Sequence, residues 1–339
     1  MHLKAKIRKL SKKYLPHSLR HYRNVFFRKI GEDELHDFFK RLGVREGMTI
    51  YVQSSFSSLG YYPKGAVGLI ELLLELVGPK GTIVMPSFPF SGSMADYVAT
   101  NPIFDVRDTP STVGYMSEVF RTFPGVKRSI HPTHPVAALG RRAAEITAGH
   151  EKTVTPQGED SPFAELARAN AYILRIGTAY YPLFHYLQEK LDYPNQFLPD
   201  SVCLECLDYN GNVLPVTTRV HYPSLAPSIF CLERKEGEAP ALVNFSDFPI
   251  LYRGNREEKL RSDPERRAGY IKLIEYRRAF ADRHELGSGQ VNGCRCELFS
   301  AADSLDFAVK EAGTLLNIYR DFYTLTNLER IISEKRFYW

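Results

Sequence analysis

The 339-residue chain reads as an α/β protein: a mixed, largely parallel central sheet flanked by helices, followed by a β-rich C-terminal half. Three observations carry this expectation. First, the β-rich run Thr49-Ile50-Tyr51-Val52 precedes a helical segment, Val67 to Val77, the turn Gly78-Pro79-Lys80-Gly81 and a second β-rich run, Thr82 to Met85. That is a βαβ unit, whose crossover is right-handed and whose ligands bind beyond the carboxyl ends of its strands. Second, Tyr172 to Ile176, ended by Gly177, is a further buried strand on the same sheet. Third, Val202 to Leu207 and Val213 to Thr218 flank Asp208-Tyr209-Asn210-Gly211-Asn212, where the Asn-Gly pair predicts a type I′ hairpin turn.

In chain order, Leu3, Ile7, Leu10 and Tyr14 mark an amphipathic helix stopped near Pro16, with a second pattern through Leu19, Tyr22 and Phe26. Residues 1–40 form a basic helical arm and residues 41–339 the main domain, divided into an α/β half, 41–200, and a β-rich half with C-terminal helices, 201–339. Glu32 to Leu42 has the pattern of a surface helix, and Thr112 to Arg121 that of another. Ser161-Pro162 opens a helix to about Ala169, with serine at the N-cap and proline at the first helical position. The charged stretch 253–267 reads as a solvated connection into a helix over 265–284.

Composition removes several function classes. The net charge is +5, yet ten basic residues from Lys4 to Lys29 meet no acidic residue before Glu32, so the rest of the chain stands at −5. A whole-surface nucleic-acid binder is therefore not expected. The arm has two readings, a hairpin packed on the body with its lysines in water, and contact with an anionic surface. Five cysteines and no secretory apolar segment predict a reducing, cytoplasmic setting. Leu69 to Val77 is interrupted by Glu71 and Glu75, short of a membrane span. There is no GxGxxG, Walker lysine loop, GxSxG, HExxH or paired CxxC. His131 and His134 have no convincing third ligand, and Cys203 and Cys206, three apart on a strand, point to opposite faces, so no metal is expected.

Local patterns remain. Val52-Gln53-Ser54-Ser55-Phe56-Ser57-Ser58-Leu59-Gly60 and Gly81-Thr82-Ile83-Val84-Met85-Pro86 are followed by Thr109-Pro110-Ser111, Gly114-Tyr115-Met116-Ser117-Glu118 and Phe120-Arg121. Next comes Pro124-Gly125-Val126-Lys127-Arg128-Ser129-Ile130-His131-Pro132, then Ala138, Gly140, His150, Gly158, Ser161-Pro162-Phe163 and Gly177. Gly289 to Leu298 and Asp306-Phe307-Ala308 close the series. In order and spacing this set, over roughly residues 40 to 310, resembles the aminoglycoside 3-N-acetyltransferase family. The resemblance implies that family's α/β fold, acetyl-coenzyme A as acyl donor, and N-acetylation of an amino group on a sugar. It makes 41–200 the cofactor-binding half and 201–339 the acceptor-side half of an acyltransferase domain.

The resemblance makes His185 the general base, and the chemistry suits it: an amine attacks a thioester through a free lone pair and sheds a proton, which a group with a pKa near 6.5 can accept. Its other ring nitrogen needs an orienting partner, and the local candidates are Gln188 and Glu189. The family places glutamate three residues after the histidine. Here Gln188 stands there and Glu189 one further, and on a helix one residue turns a side chain by about 100°, which puts Glu189 in doubt as a replacement. Gln53, Pro135 and Pro182 are further departures. Backbone and side-chain donors of Ser54, Ser55, Phe56, Ser57 and Ser58 suit an oxyanion or the cofactor's phosphates, unless the loop only satisfies itself. Lys64, Lys127 and Arg128 are candidate phosphate partners, and Ser129 and His131 candidate parts of the cofactor-side wall.

Asp105, Asp108, Glu159 and Asp160 are candidates to hold a cationic acceptor, with a solvated acidic face as the alternative. For the acceptor, the altered surroundings of His185 and the basic arm point to an amino sugar in polysaccharide or glycoconjugate biosynthesis. The alternatives are aminoglycoside resistance and a catalytically silent sugar- or coenzyme-binding relative. Peripheral membrane contact through residues 1–30 and a homodimer stay open, although no heptad pattern supports the dimer.

Overall fold

The computed structural model describes residues 28–178, 182–190, 197–221, 229–231, 242–244, 287–306 and 309. Its strands are β1 (Thr49–Ser54), β2 (Thr82–Pro86), β3 (Phe104–Asp105), β4 (Lys127–Arg128), β5 (Val136–Gly140), β6 (Tyr172–Ile176), β7 (Phe197–Leu207), β8 (Val213–His221), β9 (Ile229–Cys231), β10 (Leu242–Asn244), β11 (Gly287–Val291) and β12 (Cys294–Ser300). Seven of them form one mixed sheet in the order β11-β12-β6-β1-β2-β5-β4. The centre, β6-β1-β2, is parallel, as the βαβ pattern predicts. Antiparallel pairs extend it on both sides, β5 and β4 beyond β2, β12 and β11 beyond β6. The chain after residue 286 thus returns to complete the sheet begun at residue 49.

Apolar runs explain the burial. Thr49, Ile50, Tyr51 and Val52 are all buried, as expected of a strand covered on both faces. The helix Gly65–Val77 buries Leu69, Ile70, Leu72, Leu73, Leu76 and Val77 against the sheet, in one cluster with Ile50, Ile83 and Leu174. The helix Glu32–Leu42 has acidic residues in its first turn, Lys40 and Arg41 in its last, and stops at Gly43, whose φ of 108° is left-handed. It buries Leu35, Phe38, Phe39 and Leu42 and lies so close to β11 that a Cβ on Gly287 would stand 2.1 Å from the Leu42 carbonyl oxygen. It therefore belongs to the body, across the expected arm boundary at residue 40.

Ser161 caps Pro162–Arg168 as expected, its Oγ accepting from the Ala164 N–H. The helix expected from Thr112 begins instead at Tyr115, because Gly114 takes a positive φ of 129° with ψ 153°, outside the helical region, and the Glu118 carboxylate accepts from the Ser111 N–H at 2.6 Å.

A second sheet, β3-β7-β8, carries the long hairpin. Its turn differs from the expected type I′. Of the Asn210-Gly211 pair only Gly211 has positive φ, 83°, because the Asp208 carboxylate accepts from the Asn210 and Asn212 N–H groups, both at 2.8 Å, and holds Asn210 in the ordinary region. Cys203 is exposed and Cys206 buried, on opposite faces of β7. At the other end of the core, Arg175 of β6 and Glu297 of β12 are cross-strand partners in a buried ion pair, which Arg295 joins at 2.8 Å from Glu297.

The arm from residue 1 to 27, the connection 253–267, the helix at 265–284 and Phe307-Ala308 lie outside the described residues. Among the described residues no helix is long and apolar enough to cross a membrane.

Candidate functional site

The carboxyl ends of β1, β2 and β6 deliver three segments to one edge: the serine loop after Ser54, Ser87-Phe88 after β2, and Gly177 after β6. Because β5 is antiparallel, the segment that precedes it, His131 to Pro135, arrives at the same edge, and the Ser87 N–H donates to the Pro135 carbonyl at 2.9 Å.

The serine loop makes a single 3₁₀ turn, Phe56–Ser58. It is anchored to β6 by the Ser55 N–H on the Ile176 carbonyl at 2.8 Å. Gly177 is required here: its φ is 64°, and a Cβ would lie 2.4 Å from Ser58 Cβ. From the other side Arg28 donates to the Ser58 carbonyl at 2.5 Å and to the Asn292 carbonyl at 2.7 Å. The loop satisfies part of itself, through the Ser58, Leu59 and Gly60 N–H groups and a Ser55–Ser58 Oγ bond of 2.8 Å. The Phe56 and Ser57 N–H groups and the buried Ser54 Oγ have no partner among the described residues.

Two of the expected phosphate partners make contacts within the chain. The Lys64 ammonium pairs with Glu32 at 2.5 Å. Arg128 is buried, donates to the carbonyls of Thr109 and Ser87, each at 2.6 Å, and lies over the Phe104 ring at 4.7 Å. Burial pushes its pKa down to about 9. Lys127 is exposed on the outermost strand. Ser129 is buried, and its Oγ accepts from the Val136 N–H and bonds His150 Nδ1, both at 2.9 Å.

Five histidines converge. His131 stacks on His150, with ring centroids 4.4 Å apart. His150 Nε2 meets the Pro156 carbonyl at 2.9 Å, which requires its proton there and leaves Nδ1 to accept from Ser129. His131 Nδ1 accepts from the N–H groups of Thr133 and His134, so its proton sits on Nε2, buried and without a partner among the described residues. Burial lowers His150 to about 4 and holds His131 and His134 well below the usual imidazole range. His134 contacts the Phe88 ring at 4.6 Å and lies 6.2 Å from His185. His185 stacks on His221 with centroids 4.1 Å apart. Among the described residues no group of three or more His, Cys, Asp or Glu is arranged to hold a metal.

His185 stands on the helix Phe184–Lys190. Positions three and four residues on lie about 60° to one side and about 40° to the other of the starting residue, so both share its face. The shift from Gln188 to Glu189 therefore does not turn the carboxylate away. Glu189 is mostly buried: Oε2 accepts from the Thr155 hydroxyl at 2.5 Å, and Oε1 lies 3.6 Å from His221 Nε2. Burial pushes its carboxyl up to about 7, opposed by the Thr155 bond and by His185. Gly158 makes room, since a Cβ there would meet Thr155 Oγ1 at 2.3 Å and Glu189 Oε2 at 3.0 Å. The Gln188 side chain lies outside the described residues.

Two of the acidic candidates are held in ion pairs. Asp105 pairs with Arg107 at 3.2 Å, and Glu159 accepts from Tyr186 at 2.9 Å and pairs with Lys190 at 3.2 Å. Conversely, His221 and Thr155 escaped sequence reasoning. The one signal for His221 is that it breaks strand alternation, being buried directly after buried Val220.

Comparison with known proteins identifies the family and the fold. A family model for aminoglycoside 3-N-acetyltransferase matches residues 51–312, well over half of the chain. The SPbeta prophage-derived aminoglycoside N(3′)-acetyltransferase-like protein YokD of Bacillus subtilis (strain 168) is 28% identical over 287 residues, covering 80% of this chain and 88% of that one. The aminoglycoside acetyltransferase AAC(3)-Xa has the same fold, with a TM-score of 0.64 at 21% identity over 88% of this chain and 99% of that one. AAC-IIIb, solved as a binary complex with CoASH, gives a TM-score of 0.60 at 20% identity over 83% and 96%. The chain belongs to the aminoglycoside 3-N-acetyltransferase family and is an N-acyltransferase.

Proposed function

We propose that this enzyme acetylates an amino group of an aminoglycoside, with His185 as general base. The observation that carries the reading is the placement of His185, one segment past Gly177 at the carboxyl edge of the parallel strands, with the buried carboxylate of Glu189 on the same helical face. Acetyl-coenzyme A supplies an acetyl thioester. The Phe56 and Ser57 N–H groups and Ser54 Oγ, without partners among the described residues, are donors for an acyl or phosphate oxygen, and this donor set fits such a ligand. His185 accepts the proton that the amine loses, and no covalent enzyme intermediate is required. The free thiols of Cys203, Cys206, Cys294 and Cys296 suit a reducing cytoplasm.

The names of the relatives favour an aminoglycoside over the carrier-linked sugar expected from the basic arm, and nothing among them supports a biosynthetic acceptor. Mass spectrometry of a mixed panel of aminoglycosides and nucleotide-linked amino sugars, incubated with acetyl-coenzyme A, tests this. The expected product is an aminoglycoside heavier by one acetyl group, with the rate lowered at least about 100-fold by His185→Ala. Acetylation confined to nucleotide-linked sugars would move the acceptor, and an active His185→Ala enzyme would remove the base.

A further inference from the structure

Within the acetyl-transfer reading, we infer that Glu189 serves the base through His221: the carboxylate faces this second imidazole, and His221, stacked on His185, is a positioning residue of the site. His221 is the last residue of β8, brought in by the hairpin from the second sheet, and it is buried to 3%. Its ring is held from both faces, by His185 at 4.1 Å and by Phe197, its cross-strand partner, at 4.5 Å. The Arg219 guanidinium lies 4.5 Å from the Phe197 ring centroid. His221 Nε2 faces Glu189 Oε1 at 3.6 Å, while Thr155 fixes the other oxygen of that carboxylate.

Among the described residues, the groups around His221 include His185 and Glu189 from the helix Phe184–Lys190, His134 at 5.9 Å from the segment before β5, and Phe197 and Arg219 from the hairpin. With His131, His134 and His150 kept neutral by burial, Glu189 is the carboxylate of this set that can offset a positive charge on the stacked pair. The proton leaves the acceptor amine and ends on His185. None passes to Glu189, whose effect is electrostatic and is transmitted through the orientation of His221.

The test is an NMR titration of histidine-labelled protein, with the His185 signals assigned by their loss in His185→Gln. Wild type, Glu189→Gln, His221→Phe and the double variant form a cycle. Glu189→Gln is expected to lower the His185 pKa by about one pH unit when His221 is present. With phenylalanine at 221, which keeps a stacked ring but no Nε2–H, that effect should fall to roughly a third or less. An equal effect in both backgrounds would show that Glu189 acts on His185 directly and overturn the inference. If His221→Phe does not fold, His221→Gln, which keeps a donor but no ring, is read in the same way. Kinetics add a second readout: the acidic limb of kcat should move with the NMR value while the acceptor KM stays constant. Because the titration needs no acceptor, an inactive protein that shows the coupling would sink the acetyl-transfer reading and leave the Glu189–His221 linkage standing.

Discussion

Arg128 illustrates how a residue's chemistry is set by its surroundings. A cation beside a serine and a histidine reads as a phosphate ligand, yet its two terminal nitrogens donate to the Thr109 and Ser87 carbonyls beneath the site. Arg128→Met should destabilise the fold by roughly 2–4 kcal/mol, because buried carbonyls lose their donors. Calorimetry at a temperature where the variant is folded should give an unchanged affinity for coenzyme A, and a large loss there would restore the phosphate role. The family resemblance singles out His185 and the serine loop, because the motifs that carry it are local. It did not reveal His221 or Thr155, because a side chain that acts by meeting a partner 30 or more positions away leaves no local mark.

At the scale of elements, helices and strands were legible where periodicity and caps agreed. Glu32–Leu42, Pro162–Arg168 and Tyr172–Ile176 carry their own boundary signals. The start of Tyr115–Arg121 and the 208–212 turn were misread because a side chain, Glu118 in one case and Asp208 in the other, takes backbone N–H groups and fixes the local conformation. The junction of β6 with the serine loop depends on one residue. Gly177→Ala places a methyl 2.4 Å from Ser58 Cβ at a positive φ, so the turn Phe56–Ser58 must move. The variant should bind coenzyme A more than about tenfold more weakly and lose at least about 1 kcal/mol of stability. Unchanged binding by calorimetry would show that the loop does not hold the donor.

Across the molecule, the buried histidines tie stability to pH. His150 titrates at about 4 in the fold against 6.5 when unperturbed, and His131 and His134 are lowered in the same direction. As pH falls below 6.5 the unfolded chain binds protons first, so their contribution is full above 6.5 and is lost on acidification. The loss reaches about 1.4 kcal/mol per pH unit for each histidine. Glu189 works in the opposite direction: raised from 4.5 to about 7, it favours the fold below 4.5 and loses that contribution as pH rises through 7. Three histidines outweigh one carboxylate, so Tm should fall between pH 6.5 and 4.5. A Tm that rises over that interval would show that the cluster is charged in the fold.

The place of β12 inside the sheet, between β6 and β11, has a further consequence for how the protein is made. A nascent chain that has emerged only as far as residue 221 holds both halves of the catalytic edge, but β6 still has an open side and Arg175 still awaits Glu297. Such a chain exposes an unpaired strand with a buried-type charge on it, a poor state in which to linger. Ribosome-bound chains should therefore resist protease across residues 172–176 only after residue 300 has cleared the exit tunnel, so that the enzyme gains its site and its last strand together.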